Sequence, residues 1–124
     1  MTDLPPTFAV IDGTLCQLTR KGARAGGHAP LATAVVEFLH GAFRIYVREH
    51  PHGLLPGIPN LYCLDGALRL QWLAEWPDAA DPCAKIVHEE GDSLLVLAAS
   101  GAQVRLDARN GHLLGLARPM AVAS

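Results

Sequence analysis

The sequence predicts an all-β protein built from successive hairpins. Turn dipeptides recur along its 124 residues, and each one separates two short runs rich in Val, Ile, Leu and aromatic residues. This arrangement is typical of antiparallel strands joined by tight turns. The dipeptides are Asp12-Gly13, His40-Gly41, Asp65-Gly66, Ser100-Gly101 and Asn110-Gly111. No segment of the chain requires a helix.

Ten strands follow from the alternation of apolar and polar residues between these turns. They are expected near residues 7–11, 14–18, 33–39, 42–48, 60–65, 69–75, 84–88, 93–99, 102–107 and 112–117. We therefore expect two four-stranded antiparallel meanders packed as a sandwich, plus an N-terminal hairpin. A single domain, 1–124, would comprise the hairpin and its loop (1–30), a first unit (31–76) and a second unit (84–118).

The segment "TAVVEFLHGAFRIYVRE", residues 33–49, could be a helix or a hairpin. A hairpin with a two-residue loop at His40-Gly41 explains both halves, whereas a helix explains only the first. The hairpin register pairs Val36 with Ile45, Phe38 with Phe43, and Glu37 with Arg44. Apolar and oppositely charged neighbours of this kind stabilise a sheet by about 0.2–1 kcal/mol each. We therefore predict the hairpin.

The same reasoning predicts one further register and the buried face of one further strand. A two-residue loop at Ser100-Gly101 pairs Leu97 with Val104. In "LYCLDGALRLQW", Leu70 and Trp72 alternate with polar residues, so both are expected on one half-buried face.

Composition and charge exclude several classes of function. The formal net charge is −2 and the ten basic residues are scattered, so nothing predicts a nucleic-acid partner. No apolar run approaches the roughly 18 residues of a membrane span, and "MTDLPPTF" lacks the basic and apolar regions of a signal peptide. Cys16, Cys63 and Cys83 show no metal or disulfide spacing, so we expect buried reduced thiols and a cytoplasmic protein.

Two stretches in the second half of the chain resemble each other. "NLYCLDGALRLQW" covers residues 60–72 and "QVRLDARNGHLLG" covers residues 103–115. In each, a Leu-Asp pair ends an alternating strand, and Asp65 and Asp107 are 42 residues apart. That period fits a four-stranded propeller blade, which takes about 40–50 residues.

The pattern resembles the repeat of quinoprotein-type (PQQ-type) β-propellers, and the chain is similar to small stand-alone bacterial proteins of unknown function with such blade repeats. The resemblance implies that the two Asp residues cap tight turns and that Trp72 wedges between neighbouring blades. Gly111 matches the glycine of the repeat. Leu68 and Gly115 depart from it, because they stand where the repeat has Gly and Trp.

The two predicted meanders and the N-terminal hairpin together amount to about two and a half such units. They cannot close a propeller, which needs at least four blades of about 40 residues. Without a closed ring there is no central funnel, so no quinone or other cofactor is expected. Two sheets can instead bury their apolar faces against each other. Their outer faces and edges then remain exposed, which favours self-association.

The loop "REHPHG", residues 48–53, is the one local cluster of metal-competent side chains in the sequence. Glu49, His50 and His52 could bind zinc, because zinc takes imidazole and carboxylate ligands. A third His or Cys would have to come from elsewhere in the chain, and the sequence does not place His28 or His88 beside this loop. The competing interpretation is a solvated polar loop after a strand.

Asp78 and Asp81 in "PDAADPC" are a second candidate pair. They could hold a hard cation or serve in acid–base chemistry, or they could make Asx turns before Ala and Pro. Trp72 and Trp76 could similarly line a ligand-binding face, or belong to the core and its rim.

The expected function is non-catalytic, because the sequence contains no GxSxG, P-loop or Cys–His motif. Exposed edges and three long connections, at 19–30, 49–59 and 77–83, favour a module that binds a protein partner or a second copy of itself. The alternative is a metal- or small-ligand-binding protein that uses the Glu49, His50 and His52 loop.

Overall fold

The structure, a computed structural model, describes residues 7–53 and 58–118 and confirms the all-β fold. Residues 1–6, which entered the signal-peptide argument, and residues 54–57 of the long 49–59 connection lie outside the described residues. Within the described part the strands are β1 (Thr7–Ile11), β2 (Thr14–Leu18), β3 (Arg24–His28), β4 (Val35–His40), β5 (Ile45–Glu49), β6 (Leu61–Leu64), β7 (Leu70–Leu73), β8 (Cys83–Glu90), β9 (Ser93–Ala98), β10 (Gln103–Asp107) and β11 (Leu113–Ala117).

These strands form three antiparallel sheets in chain order. Sheet A contains β1-β2-β3, sheet B contains β4-β5-β6-β7, and sheet C contains β8-β9-β10-β11. Sheets B and C are the two four-stranded meanders that the sequence predicts. Sheet A contains the predicted N-terminal hairpin, β1-β2, together with a third strand.

Sheet B lies between the other two sheets and buries both of its faces. One core joins sheets B and C, with Tyr46, Leu61, Cys63, Trp72, Ile86, Leu94, Val96, Val104 and Leu106 among its members. A second core joins sheets A and B, and consists of Phe8, Leu15, Val35, Ile45, Val47, Tyr62 and Leu64. The meanders thus pack face to face as expected, and sheet A covers the opposite face of sheet B.

The third strand of sheet A was not predicted, because its sequence "RAGGH" was assigned to the 19–30 connection. Gly is depleted in strands, so this composition indicates a loop. In the structure β3 pairs with β2, with Leu15 opposite His28 and Gln17 opposite Gly26. Strand pairing in the tertiary fold therefore overrides the local preference of the two glycines.

The predicted register of the β4–β5 hairpin is wrong. The loop is four residues long rather than two, so His40 lies opposite Ile45 and Phe38 lies opposite Val47. A bulge near Val36 then changes the register again before Glu49. Phe43 consequently lies in the turn and is 83% exposed instead of facing Phe38.

The predicted β9–β10 register is wrong by one residue. Ala98 N donates to Ala102 O at 2.9 Å, and Gly101 adopts a left-handed φ of 91°. These features make a three-residue loop with a bulge at Gly101, where a two-residue loop was expected. Val104 therefore lies opposite Val96 rather than Leu97.

A turn whose N–H donor has a positive φ recurs after the penultimate strand of every sheet, and it spans four residues in sheets A and B and five in sheet C. In each turn a backbone N–H bonds back to the carbonyl of the residue that ends or follows the strand: Gly22 to Thr19 (2.9 Å), Leu68 to Asp65 (3.0 Å) and Gly111 to Asp107 (2.7 Å). The three donor residues all have positive φ, at 81°, 64° and 78°. The repeat therefore occurs three times, and β1 corresponds to β5 and β9.

Candidate functional site

Four exposed apolar side chains converge on one groove at the outer rim of sheet B. Leu31, Ile58, Leu70 and Leu73 are each 36–48% exposed. Together with Ala32 and Gly53 they line a groove of about 490 Å³, here called the rim groove. Contiguous apolar surface of this kind is the usual mark of an interaction site on a soluble protein.

The irregular register of β7 places its two leucines in the rim groove. Trp72 lies opposite Cys63 and faces sheet C, whereas Leu70 lies opposite Leu64 and faces the side of sheet A. A register shift separates these two pairs. The prediction that Leu70 and Trp72 share a face is therefore wrong, because strict alternation does not hold across the shift.

Among residues 7–53 and 58–118, those that line the rim groove carry no polar side chain and do not belong to sheet A. Sheet A buries the inner part of this face of sheet B, through Phe8 and Leu15, but leaves Leu70 and Leu73 exposed. β7 is also one of the two edge strands of sheet B. An apolar surface thus adjoins a strand edge, and an edge offers backbone hydrogen-bonding groups to another chain.

Sequence reasoning did not find this groove. Ile58 lies in the 49–59 connection that is expected to serve recognition, whereas Leu31 lies just outside the 19–30 connection, at the start of the predicted first unit. Each is a single Leu or Ile near Pro, with no periodic pattern around it. Only the fold brings these residues next to β7, and the loop position of Ile58 was the one signal in the sequence.

Glu49 is not available as a metal ligand, because its buried carboxylate already accepts four hydrogen bonds. Backbone N–H groups of Leu31, Ala32 and Thr33 donate to it at 2.7, 3.0 and 2.9 Å. The hydroxyl of Tyr62 donates the fourth, at 2.5 Å. Burial alone would raise the pKa of Glu49, but these hydrogen bonds outweigh it and hold the pKa below its usual value.

His28 continues this hydrogen-bonded group into sheet A. Its Nε2 lies 2.7 Å from the Tyr62 hydroxyl oxygen. Because that hydroxyl donates to the Glu49 carboxylate, its oxygen accepts from His28, which fixes the proton of the imidazole on Nε2. Burial lowers the pKa of His28, and the charge of Glu49 opposes this effect. The group ties sheet A to sheet B.

The two other members of the predicted metal loop lie outside this group. The imidazoles of His50 and His52 lie at a centroid distance of 5.2 Å with their planes tilted by 47°, and His52 N donates to His50 Nδ1 at 3.2 Å. Among residues 7–53 and 58–118, no three His, Cys, Asp or Glu side chains come together as a metal site. The Glu49, His50 and His52 set is thus not assembled, because Glu49 points into the protein.

Asp78 and Asp81 each stabilise a loop by accepting hydrogen bonds. Asp78 Oδ1 accepts from Ala80 N at 2.9 Å, which is an Asx turn. Asp81 accepts from Ser100 twice, from its N–H at 2.8 Å and its hydroxyl at 2.6 Å. The Asp78–Ala80 contact matches the Asx-turn interpretation, and Asp81 anchors the β9–β10 loop.

Trp72 and Gly111 of the repeat lie where sheets B and C meet. Trp72 is buried, and its Nε1 donates to the Ala108 carbonyl at 3.0 Å. Asp65 and Asp107 cap their turns by accepting backbone N–H groups, from Arg69 at 2.9 Å and from Arg109 at 2.9 Å. Hydrogen bonds from Arg109 also lower the pKa of Asp107 to about 2.

All three cysteines are buried and free, as the sequence predicts for reduced thiols. Burial raises the pKa of Cys63 and of Cys83 to about 12. Both thiols are therefore protonated at neutral pH and unsuited to nucleophilic chemistry.

No protein-family model matches the chain, and no curated protein matches its sequence. The resemblance to quinoprotein-type blades therefore stays a prediction. In the part of the chain that the structure describes, no helix is long and apolar enough to cross a membrane.

Proposed function

We propose that the protein is a non-catalytic binding module, and that its rim groove holds the apolar side chains of an extended segment from a partner protein. The observation that carries this proposal is the convergence of Leu31, Ile58, Leu70 and Leu73, all partly exposed, on one surface. Burying such side chains against a partner removes apolar area from water, which is the main driving force of association.

The position of β7 supports an extended partner segment. β7 forms one wall of the groove and is an edge strand of sheet B, so a strand added beside it gains main-chain hydrogen bonds. Alternate side chains of an added strand point to the same face. The side chains of the added strand that point to the side of sheet A would then lie beside Leu70 and Leu73 and extend this apolar surface.

A small-molecule ligand fits this surface less well. Ligand pockets combine an apolar lining with a few polar groups that orient the ligand. The described residues of the rim groove offer no polar side chain for that purpose. A peptide needs none, because the backbone of β7 supplies its polar contacts.

Fluorescence anisotropy with labelled synthetic peptides tests the proposal. The probes are short peptides that alternate Leu or Val with Ser or Thr, and control peptides in which Gln replaces every Leu and Val. We expect the alternating peptides to bind the wild-type protein and the Gln peptides not to bind. The double variant Leu70→Gln, Leu73→Gln should weaken binding at least tenfold, because it removes two apolar contacts.

Leu114→Gln is the matched control, because Leu114 is 55% exposed on β11 and does not line the groove. It should bind like the wild type. Equal binding by the Leu70→Gln, Leu73→Gln protein, or failure of every alternating peptide to bind the wild type, would contradict the proposal.

A further inference from the structure

We infer that the free edge of β1 pairs with β1 of a second copy of the chain, so that the protein forms a symmetric dimer. This surface is distinct from the rim groove and goes beyond the proposed binding function. It follows from the repeat. Sheets B and C each begin with a strand, β4 and β8, that has no counterpart in the described part of sheet A.

The β1 edge presents backbone groups that have no partner among residues 7–53 and 58–118. The two-residue turn at Asp12-Gly13 makes Ile11 and Thr14 a hydrogen-bonded pair, and such pairs alternate along an antiparallel ladder. The N–H and C=O groups of Phe8 and Val10 therefore point away from β2. No described residue of the chain provides a backbone partner for them.

β1 also lacks the features that protect a sheet edge from pairing. Its sequence is "TFAVI", with no charge, Pro or Gly, and its pairing with β2 runs without a bulge. Four of the other five edge strands carry such a feature: β3 has Arg24 and two glycines, β4 has Glu37 and a bulge, β8 has Lys85, two glutamates and bulges, and β11 has Gly115 and a bulge. The fifth, β7, borders the rim groove proposed above for a partner strand.

The edge is self-complementary, which favours a second copy over another protein. A two-fold axis at Ala9 makes two β1 strands antiparallel and sets Phe8 of each copy opposite Val10 of the other. Each of these pairs exchanges two hydrogen bonds through the groups that point away from β2. Ala9 then lies opposite Ala9 of the second copy, with no bulk or charge to prevent close approach. The two A sheets become one six-stranded sheet.

Light scattering coupled to size exclusion tests the dimer on the full chain, from micromolar to millimolar concentration. We expect the wild type to approach twice its 13.2 kDa monomer mass. Ala9→Lys should be monomeric, because two like charges would face each other across the axis. Thr14→Lys, which lies on the same sheet but in the central strand β2, should remain dimeric.

A charge-swap mixture separates loss of the interface from failure to fold. Ala9→Glu alone should also be monomeric, but an equimolar mixture of Ala9→Lys and Ala9→Glu should recover the dimer mass. The Leu70→Gln, Leu73→Gln protein should stay dimeric while it loses peptide binding. A wild type that is monomeric throughout, a dimeric Ala9→Lys protein, or a mixture that stays monomeric would overturn the inference.

Discussion

The indole of Trp72 lies over Gly111 and occupies the space that a side chain at position 111 would need. This contact joins the last strand of sheet B to the β10–β11 turn of sheet C. The joint between sheets A and B lacks this contact. Gly26 lies seven residues after Thr19, as Trp72 does after Asp65, but a side chain at position 26 would meet only Gln17 Oε1, at 3.9 Å. Leu68, in the β6–β7 turn, packs on the A–B core.

Gly111→Ala should destabilise the fold by about 3 kcal/mol, because the new methyl group would overlap Trp72 and strain a residue with positive φ. Urea denaturation followed by Trp fluorescence measures the free energy of unfolding. Gly22→Ala is the matched control, since Gly22 has a φ of 81° but a methyl group there would meet no atom within 4 Å. It should cost only about 1 kcal/mol. Equal losses in the two variants would show that the contact with Trp72 is unimportant.

Glu49→Gln should cost about 3 kcal/mol at neutral pH, because an amide cannot accept the four hydrogen bonds that the carboxylate accepts. The pKa of Glu49 is lower in the folded chain than its ordinary 4.5, so its contribution is present above pH 4.5 and is lost as the pH falls through the folded pKa. The difference between wild type and variant should therefore shrink on acidification. Glu90→Gln, at an exposed site, is the control and should change stability by less than about 0.5 kcal/mol.

His28 should make the fold less stable as the pH falls through 6.5. Because its folded pKa lies below 6.5, the unfolded chain binds a proton that the folded chain does not. Replacement by Gln keeps a donor towards Tyr62 but does not titrate. Unfolding free energies measured across this pH range should fall less for His28→Gln than for the wild type. His52→Gln, at an exposed position, should show the same dependence of unfolding free energy on pH as the wild type. The same dependence in His28→Gln would show that His28 does not cause the loss of stability at low pH.

The presence of a strand could be predicted from the sequence wherever apolar and polar residues alternate between two strong turn signals. The Asp65 and Asp107 turns belong to this class, since an Asp side chain caps its own turn. The third turn was missed because Thr19 replaces Asp, although its hydroxyl accepts from Ala23 N at 3.1 Å in the same way. Gly26 replaces Trp in the same copy, so no aromatic residue marked the repeat.

Registers and the rim groove could not be predicted, because both depend on one-residue irregularities. A left-handed Gly101 or a shift beside Leu70 moves a whole strand by one residue, and period-two alternation changes face with each shift. The sequence predicts a possible metal ligand at Glu49, because His50 and His52 lie beside it. Its actual partners, Tyr62 and the amides that begin at Leu31, come from other segments and meet it only in the fold.

Backbone amide chemical shifts, recorded while an alternating Leu/Ser peptide is added, locate the peptide on the surface of the protein. We predict that the shifts change along β7, at Leu31 and Ala32 and at Gly53, and that the changes disappear in the Leu70→Gln, Leu73→Gln protein. Shift changes confined to other surfaces, or no changes at saturating peptide, would contradict the assignment of the rim groove as the binding site.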